Sequence, residues 1–230
     1  DIGRTPTVVR VASNRYSEVR RVVERLSRPP RVWSNESSPL ARRLYAPKRV
    51  SLVLAVGGGT VIDVAKLAAR QLHVPCVSVP TSLANDGIAS PFAVIDPEEA
   101  EPGLAQVTVK TNTPLGIVIG LGHIRPATGS DPAFFSEMLR SGIGDIVSNL
   151  TAALDWELAA HGDGEPMDYA ALLQSRSAGE VIVNRILDGD RIDGDEFLLT
   201  LAAAMVSSGE SMTRVGSSRP ASGFEHKFYH

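Results

Sequence analysis

Three stretches of the chain carry residues whose types and spacing suit chemistry. In the first, Leu54-Ala-Val-Gly57-Gly-Gly-Thr60-Val-Ile-Asp63, an apolar strand runs into three glycines and then into helical spacing. Glycine lets the backbone approach a ligand that a Cβ would exclude, and the free N–H groups of a helix start attract an anion. A phosphate or pyrophosphate is the natural guest. The run is not the G-x-G-x-x-G fingerprint, and a simple tight turn is the alternative. In the second stretch, the strand Val77-Ser-Val79 ends in a polar loop, Thr81 to Ser90, with one acidic residue, Asp86. On turn preferences alone Asp86 reads as an Asx-turn residue beside Gly87.

The third stretch is split along the chain. Asp145 follows Gly142 and Gly144 and is expected to open a helix, where a plain N-cap is the alternative role. His226 and His230 follow the glycine- and serine-rich segment 216–223, and their i, i+4 spacing puts both on one helical face, with Ser222 as its cap. A carboxylate with a histidine nitrogen suits Zn²⁺, and a catalytic zinc keeps three protein ligands and one open position. Asp145 and His226 supply two. Of the other histidines, His73 falls at the end of the helix after the glycine turn, His161 at the far end of the Asp145 helix, and His123 in a loop. Arg219 suits a phosphate or, equally, a surface carboxylate.

These residues need a scaffold. Thr7–Ala12, Arg31–Ser34, Val50–Val56, Val77–Val79 and Leu115–Ile119 read as strands, and Ser17–Leu26 and the stretch up to Leu72 as helices. Pro91–Ile95 and Gln106–Val109 read as a hairpin. Beyond Ile124 the pattern turns helical, over Phe134–Ser141, Asp145–His161, Tyr169–Leu187 and Glu196–Val215. The expected class is α/β: a Rossmann-like N-terminal domain over 1–125, then an all-helical domain over 126–230, with the site in the cleft between them.

Composition narrows the function. The net charge is −3 and aromatic residues make up 5%, so neither a basic field nor stacking platforms for nucleic acid are expected. The single cysteine, Cys76, reads as a small core residue. No apolar run approaches membrane-spanning length and the start lacks a signal-peptide layout, so no membrane partner and a cytoplasmic location are expected. The sequence is compatible with a homo-oligomer.

The runs GGGTVIDVAK, SVPTSLANDGIASP, SGIGDIVSNLTAALDWELA and GSSRPASGFEHKFYH, in this order, resemble the sn-glycerol-1-phosphate dehydrogenases. Those belong to the superfamily of iron-containing alcohol dehydrogenases and dehydroquinate synthases. The resemblance implies a dehydroquinate synthase-like fold and an NAD- or NADP-linked, metal-dependent reduction of a small phosphorylated ketone, with dihydroxyacetone phosphate as first candidate. It implies a cofactor pyrophosphate turn at Gly58, Gly59, Thr60, Val61, Ile62 and Asp63, and further cofactor contacts at Thr81, Ser82, Leu83, Ala84 and Ser90. Asp86 and His230 match substrate-contacting, catalytic positions. Asp145 and His226 match ligands of Zn²⁺, with Ni²⁺ or Fe²⁺ as alternatives, and Asp145 thereby also adjoins the substrate.

The family's third metal ligand, a histidine in an HGE-type motif, has no counterpart here. Its helical domain continues well past the two histidines, so 126–230 is expected to be incomplete. Asn85 stands where many relatives have histidine, Gly120 where an aspartate commonly ends the strand, and Phe224-Glu225 in place of a smaller residue. Two other functions stay open: a carbocycle-forming lyase like dehydroquinate synthase, which places glutamate at the position of Asp145, and a relative that binds nucleotide without turnover.

Overall fold

The computed structural model describes residues 52–95, 107–125 and 131–224. The expected elements before Val50, and the two C-terminal histidines with the helix expected to carry them, lie outside these residues.

Strand β1 (Val53–Gly57) is buried along its whole length, which explains its unbroken apolar run: both faces are covered. It pairs in parallel with β2 (Cys76–Pro80), in the register Val53 with Cys76 to Gly57 with Pro80. On the other side of β2 lies the short parallel strand β5 (Gly116–Ile117), giving the order β1-β2-β5. Helix α1 (Gly59–Leu72) crosses between β1 and β2, burying Ile62, Ala65, Ala68 and Ala69 at helical spacing. It ends at His73, whose left-handed backbone (φ 54°) turns its N–H onto the Ala69 and Arg70 carbonyls. The expected hairpin forms from β3 (Phe92–Ile95) and β4 (Val107–Lys110), antiparallel.

His123, expected in a loop, instead sits in the four-residue helix α2 (Leu121–Ile124). Three long helices follow: α3 (Pro132–Gly162), α4 (Tyr169–Leu187) and α5 (Asp195–Val215). Asp131 and Asp168 cap α3 and α4 by accepting the N–H of Ala133 and of Ala171. Gly216, with φ 73°, closes α5.

A second expectation also fails. Phe134–Ser141 and Asp145–His161 are not two helices but parts of the single 31-residue α3. Two interior glycines each disfavour helix by about 1 kcal/mol relative to alanine, which makes 142–144 look like a break. Tertiary packing overrides that local preference. A Cβ on Gly142 would lie 1.9 Å from the Leu83 carbonyl oxygen, so its absence lets the loop after β2 rest directly on the helix.

A single apolar cluster runs from Val53 and Ile62 through Leu83 and Ile88 to Leu139, Ile146, Ile182 and Leu201, so sheet and helices share one core. Cys76 belongs to it, and burial pushes its thiol up to about 12, which leaves it protonated and without nucleophilic character. Among the described residues no helix is long and apolar enough to cross a membrane.

Candidate active site

The glycine turn and the Asp86 loop leave the same edge of the sheet, because β1 and β2 are parallel and in register to their ends. A hydrogen bond of 3.0 Å from the Thr81 N–H to the Gly57 carbonyl joins the two loops where they start. Ligands of open parallel sheets bind outside this edge.

Gly58 is the N-cap of α1, makes no side-chain cap and has no acidic residue in the turn behind it, so the first N–H groups of the 14-residue helix stay available. A Cβ on Gly59 would approach the Asn85 amide to 3.0 Å, and one on Gly58 would touch Ser82 Oγ at 3.4 Å. The space above the turn is therefore kept by the glycines and bounded by the second loop. Of the expected cofactor residues, Thr60 is exposed, while Gly58, Gly59, Val61, Thr81, Ser82 and Ala84 are half-buried. Thr81, Ser82 and Leu83 also edge a small apolar pocket against Ile124, Phe135 and Leu139.

Four expected cofactor residues point elsewhere. Ile62 and Leu83 are core side chains, 0% and 2% exposed, and only their backbone can face a ligand. Asp63 is buried, ion-paired to Lys66 at 2.9 Å and accepting the Val94 N–H at 3.0 Å, so its carboxylate ties α1 to the hairpin. Burial pushes that carboxyl above its ordinary range, against the opposing pull of Lys66. Ser90 is buried as well, its hydroxyl donating to the Phe92 carbonyl.

Lys66 gave no sequence signal beyond its place in the motif, yet it holds the second loop. Its ammonium, fully buried, donates to the carbonyls of Gly87 (2.8 Å), Ser90 (3.3 Å) and Phe92. Such a charge is tolerable in the interior because Asp63 pairs it and these carbonyls take its donors. The Asx role considered for Asp86 belongs to Asn85, whose side chain accepts the Gly87 N–H and caps the 3-10 turn Asp86–Ile88.

Asp86 itself faces the helices. Its N–H donates to Asp145 Oδ2 at 2.8 Å, joining positions 59 apart in sequence, and its Oδ2 accepts the Ser208 hydroxyl at 2.7 Å. Asp145 does not open a helix, as its glycine-rich approach suggested; it sits in the middle of α3. The close approach at Gly142, one turn earlier, brings the loop within reach. Burial, and then the neighbouring Asp86 carboxylate, push the Asp145 carboxyl well above its ordinary range, while the Asp86 N–H opposes the shift. A cation held at Asp145 would relieve both the burial penalty and the repulsion from Asp86. Among the described residues no three His, Cys, Asp or Glu side chains gather to hold a metal. His226 and His230 lie outside them.

Arg219 takes the surface-carboxylate alternative. It pairs with Glu165 at 2.9 Å and with Asp155, and these hydrogen bonds hold its pKa above the ordinary range. His161 is at the far end of α3, its Nδ1 against the Glu157 carbonyl.

Gly59→Val is expected to weaken NADH binding by tenfold or more, since at about 1.4 kcal/mol per decade even a modest steric conflict suffices. The new side chain enters the space over the turn and meets the Asn85 amide. Fluorescence titration with NADH and NADPH checks this; unchanged affinity for both would mean that the turn is only structural.

Comparison with known proteins agrees with this architecture. The model of the iron-containing alcohol dehydrogenase family matches residues 11–127. Glycerol-1-phosphate dehydrogenase (NAD(P)+) of Methanosphaerula palustris is 41% identical over 181 residues, covering 79% of this chain and 47% of the relative. The enzyme of that name from Thermococcus sibiricus is 41% identical over 191 residues, covering 83% and 51%. The chain thus spans about half the length of the curated relatives it matches. Among solved structures, a probable glycerol dehydrogenase from Sinorhizobium meliloti 1021 superposes with a TM-score of 0.69 at 18% identity, covering 90% of this chain and 59% of that one. Maleylacetate reductase from Agrobacterium tumefaciens gives 0.67 at 14% identity, covering 98% and 61%. At such identities the likeness concerns the fold alone. With the family model matching half of its length, the chain belongs to the iron-containing alcohol dehydrogenase family.

Proposed function

We propose that the protein is a metal-dependent NAD(P)-linked dehydrogenase that reduces dihydroxyacetone phosphate to sn-glycerol 1-phosphate. The observation that carries this reading is the Asp86–Asp145 contact, which sets a substrate-matching aspartate and a metal-matching aspartate side by side, next to an uncapped helix start. The names of the relatives at about 40% identity support the substrate. Aspartate rather than glutamate at position 145 favours a dehydrogenase over a lyase of the dehydroquinate synthase kind.

In this reading the N–H groups at the start of α1 bind the cofactor pyrophosphate, with Gly58 and Gly59 leaving room for it. Thr81, Ser82 and Ala84 line the path of the cofactor toward Asp86. Asp145 and His226 hold the cation, Zn²⁺ first by donor type and Ni²⁺ or Fe²⁺ next. When bound, the nicotinamide supplies the hydride and the cation polarises the ketone oxygen. Asp86 accepts a hydrogen bond from a substrate hydroxyl and so orients the ketone. His230 has the role of passing a proton to the ketone oxygen as it becomes the alcohol. A cytoplasmic location goes with such a substrate.

The test is NADH and NADPH oxidation by the purified protein with dihydroxyacetone phosphate, before and after chelation and Zn²⁺ return. Metal-dependent turnover is expected, with a product inert to sn-glycerol-3-phosphate dehydrogenase. Cofactor binding without turnover, in protein with bound metal, would instead support a nucleotide-binding relative.

A further inference from the structure

We infer that Ser208 is a positioning residue for the Asp86 carboxylate, its hydroxyl proton pointed at that carboxylate by Asn149 and the Ser175 carbonyl. The direction follows from donor types. A backbone carbonyl only accepts, so the Asn149 amide nitrogen, 3.4 Å from Ser175 O, must be the group facing it. The same nitrogen lies 3.1 Å from Ser208 Oγ and gives it the other hydrogen. With its oxygen receiving, the Ser208 hydroxyl has its own proton free, and Asp86 Oδ2 stands 2.7 Å away to accept it. A flipped amide would set Oδ1 against the Ser175 carbonyl and leave Ser208 without this donor.

The string crosses four elements. Ser175 lies on α4, Asn149 on α3, Ser208 on α5, and Asp86 in the turn after β2. Asn149, Ser175 and Ser208 are each 0% exposed, so bulk water does not compete for these bonds. Asn149 is one turn beyond Asp145 on the same helix, and α3 therefore holds Asp86 twice: directly at its N–H and through Ser208 at its carboxylate. At its other end the string reaches the segment leading toward His226, because the Ser175 hydroxyl donates to the Pro220 carbonyl at 2.6 Å. A serine buried mid-helix has little to offer packing; a hydroxyl ordered toward a carboxylate explains it.

The kinetic consequence rests on the function proposed above, and the structural one does not. Crystal structures of the wild type and of Ser208→Ala are compared for the Asp86 side chain, beside steady-state kinetics and NADH titration. The expected result is a reoriented Asp86 carboxylate in Ser208→Ala. With it, kcat/KM for dihydroxyacetone phosphate falls roughly 10- to 100-fold, the range for one hydrogen bond to a charged group, while the Kd for NADH stays within about twofold. Ser208→Cys, close in volume but a weak donor, is expected to fall between the two and serves if the alanine variant does not fold. An Asp86 carboxylate unmoved in either variant overturns the inference, and so does a parallel loss of NADH affinity, which marks general loosening. If the wild type does not turn over the ketone, the proposed reaction fails, and the Asp86 conformation still decides the positioning.

Discussion

Gly142→Ala is expected to destabilise the fold by about 3 kcal/mol, lowering Tm by roughly 6–12 °C for a chain of this size. The added methyl would stand 1.9 Å from the Leu83 carbonyl oxygen and 2.6 Å from Met205 Cε. The methionine can swing away, but the carbonyl belongs to backbone between β2 and the Asp86 turn, and that backbone has to move. Alanine gains about 1 kcal/mol of helix propensity, which offsets only part of the conflict. Gly144 is the internal control: nothing lies within 4 Å of a Cβ there, so Gly144→Ala is expected to stabilise by up to about 1 kcal/mol. Thermal or urea unfolding of both variants checks the pair. Equal and positive shifts would mean that α3 and the loop do not meet as described. Because the displaced segment runs into Asn85 and Asp86, the damage in Gly142→Ala is expected to extend to ketone turnover in whatever fraction stays folded.

Asp145→Asn is expected to separate stability from function. Asparagine keeps the shape and an oxygen able to accept the Asp86 N–H, while removing a negative charge that burial and the Asp86 carboxylate both disfavour. The metal-free variant should therefore melt at or above the temperature of the metal-free wild type. Zn²⁺ retention should collapse, and with it turnover, by about a thousandfold on the several kcal/mol that a Lewis-acid cation contributes. Metal content after desalting, Tm and ketone reduction together test this. Gain in stability with loss of function is the pattern of a site built against its own repulsion. A variant that still holds zinc and turns over would remove Asp145 from the metal site.

Much of the scaffold was readable from local signals. The apolar run into Gly57 specified a covered parallel strand, and the period of Ile62, Ala65 and Ala69 specified the helix after it. Tyr169–Leu187 and Glu196–Val215 were legible as helical runs, and the structure adds Asp168 as the cap of α4 and Gly216 as the left-handed terminator of α5. In the site, the family resemblance gave Asp86 and Asp145 their separate roles, and the contact between them came from the fold, since nothing in local periodicity joins positions 59 apart. The same local rules misread 142–144 as a break, because a glycine's penalty within its own helix carries no trace of a carbonyl arriving from another element.

Propensity, capping and periodicity act within a few residues, so the chain declares its elements, its glycine turn and its list of chemistry-bearing side chains without folding. Which of those side chains face a ligand is a long-range matter. Packing turned Asp63 and Ser90 inward, placed Lys66 under the carbonyls of Gly87, Ser90 and Phe92, sent Arg219 to Asp155 and Glu165, and drew Asn149 and Ser208 into the Asp86 site. For Lys66, Asn149 and Ser208 the outcome depends on a buried polar group finding a partner across the fold, where leaving it alone would incur the full loss of its hydration. That requirement is satisfied only by the assembled interior, and so no stretch of sequence shows it.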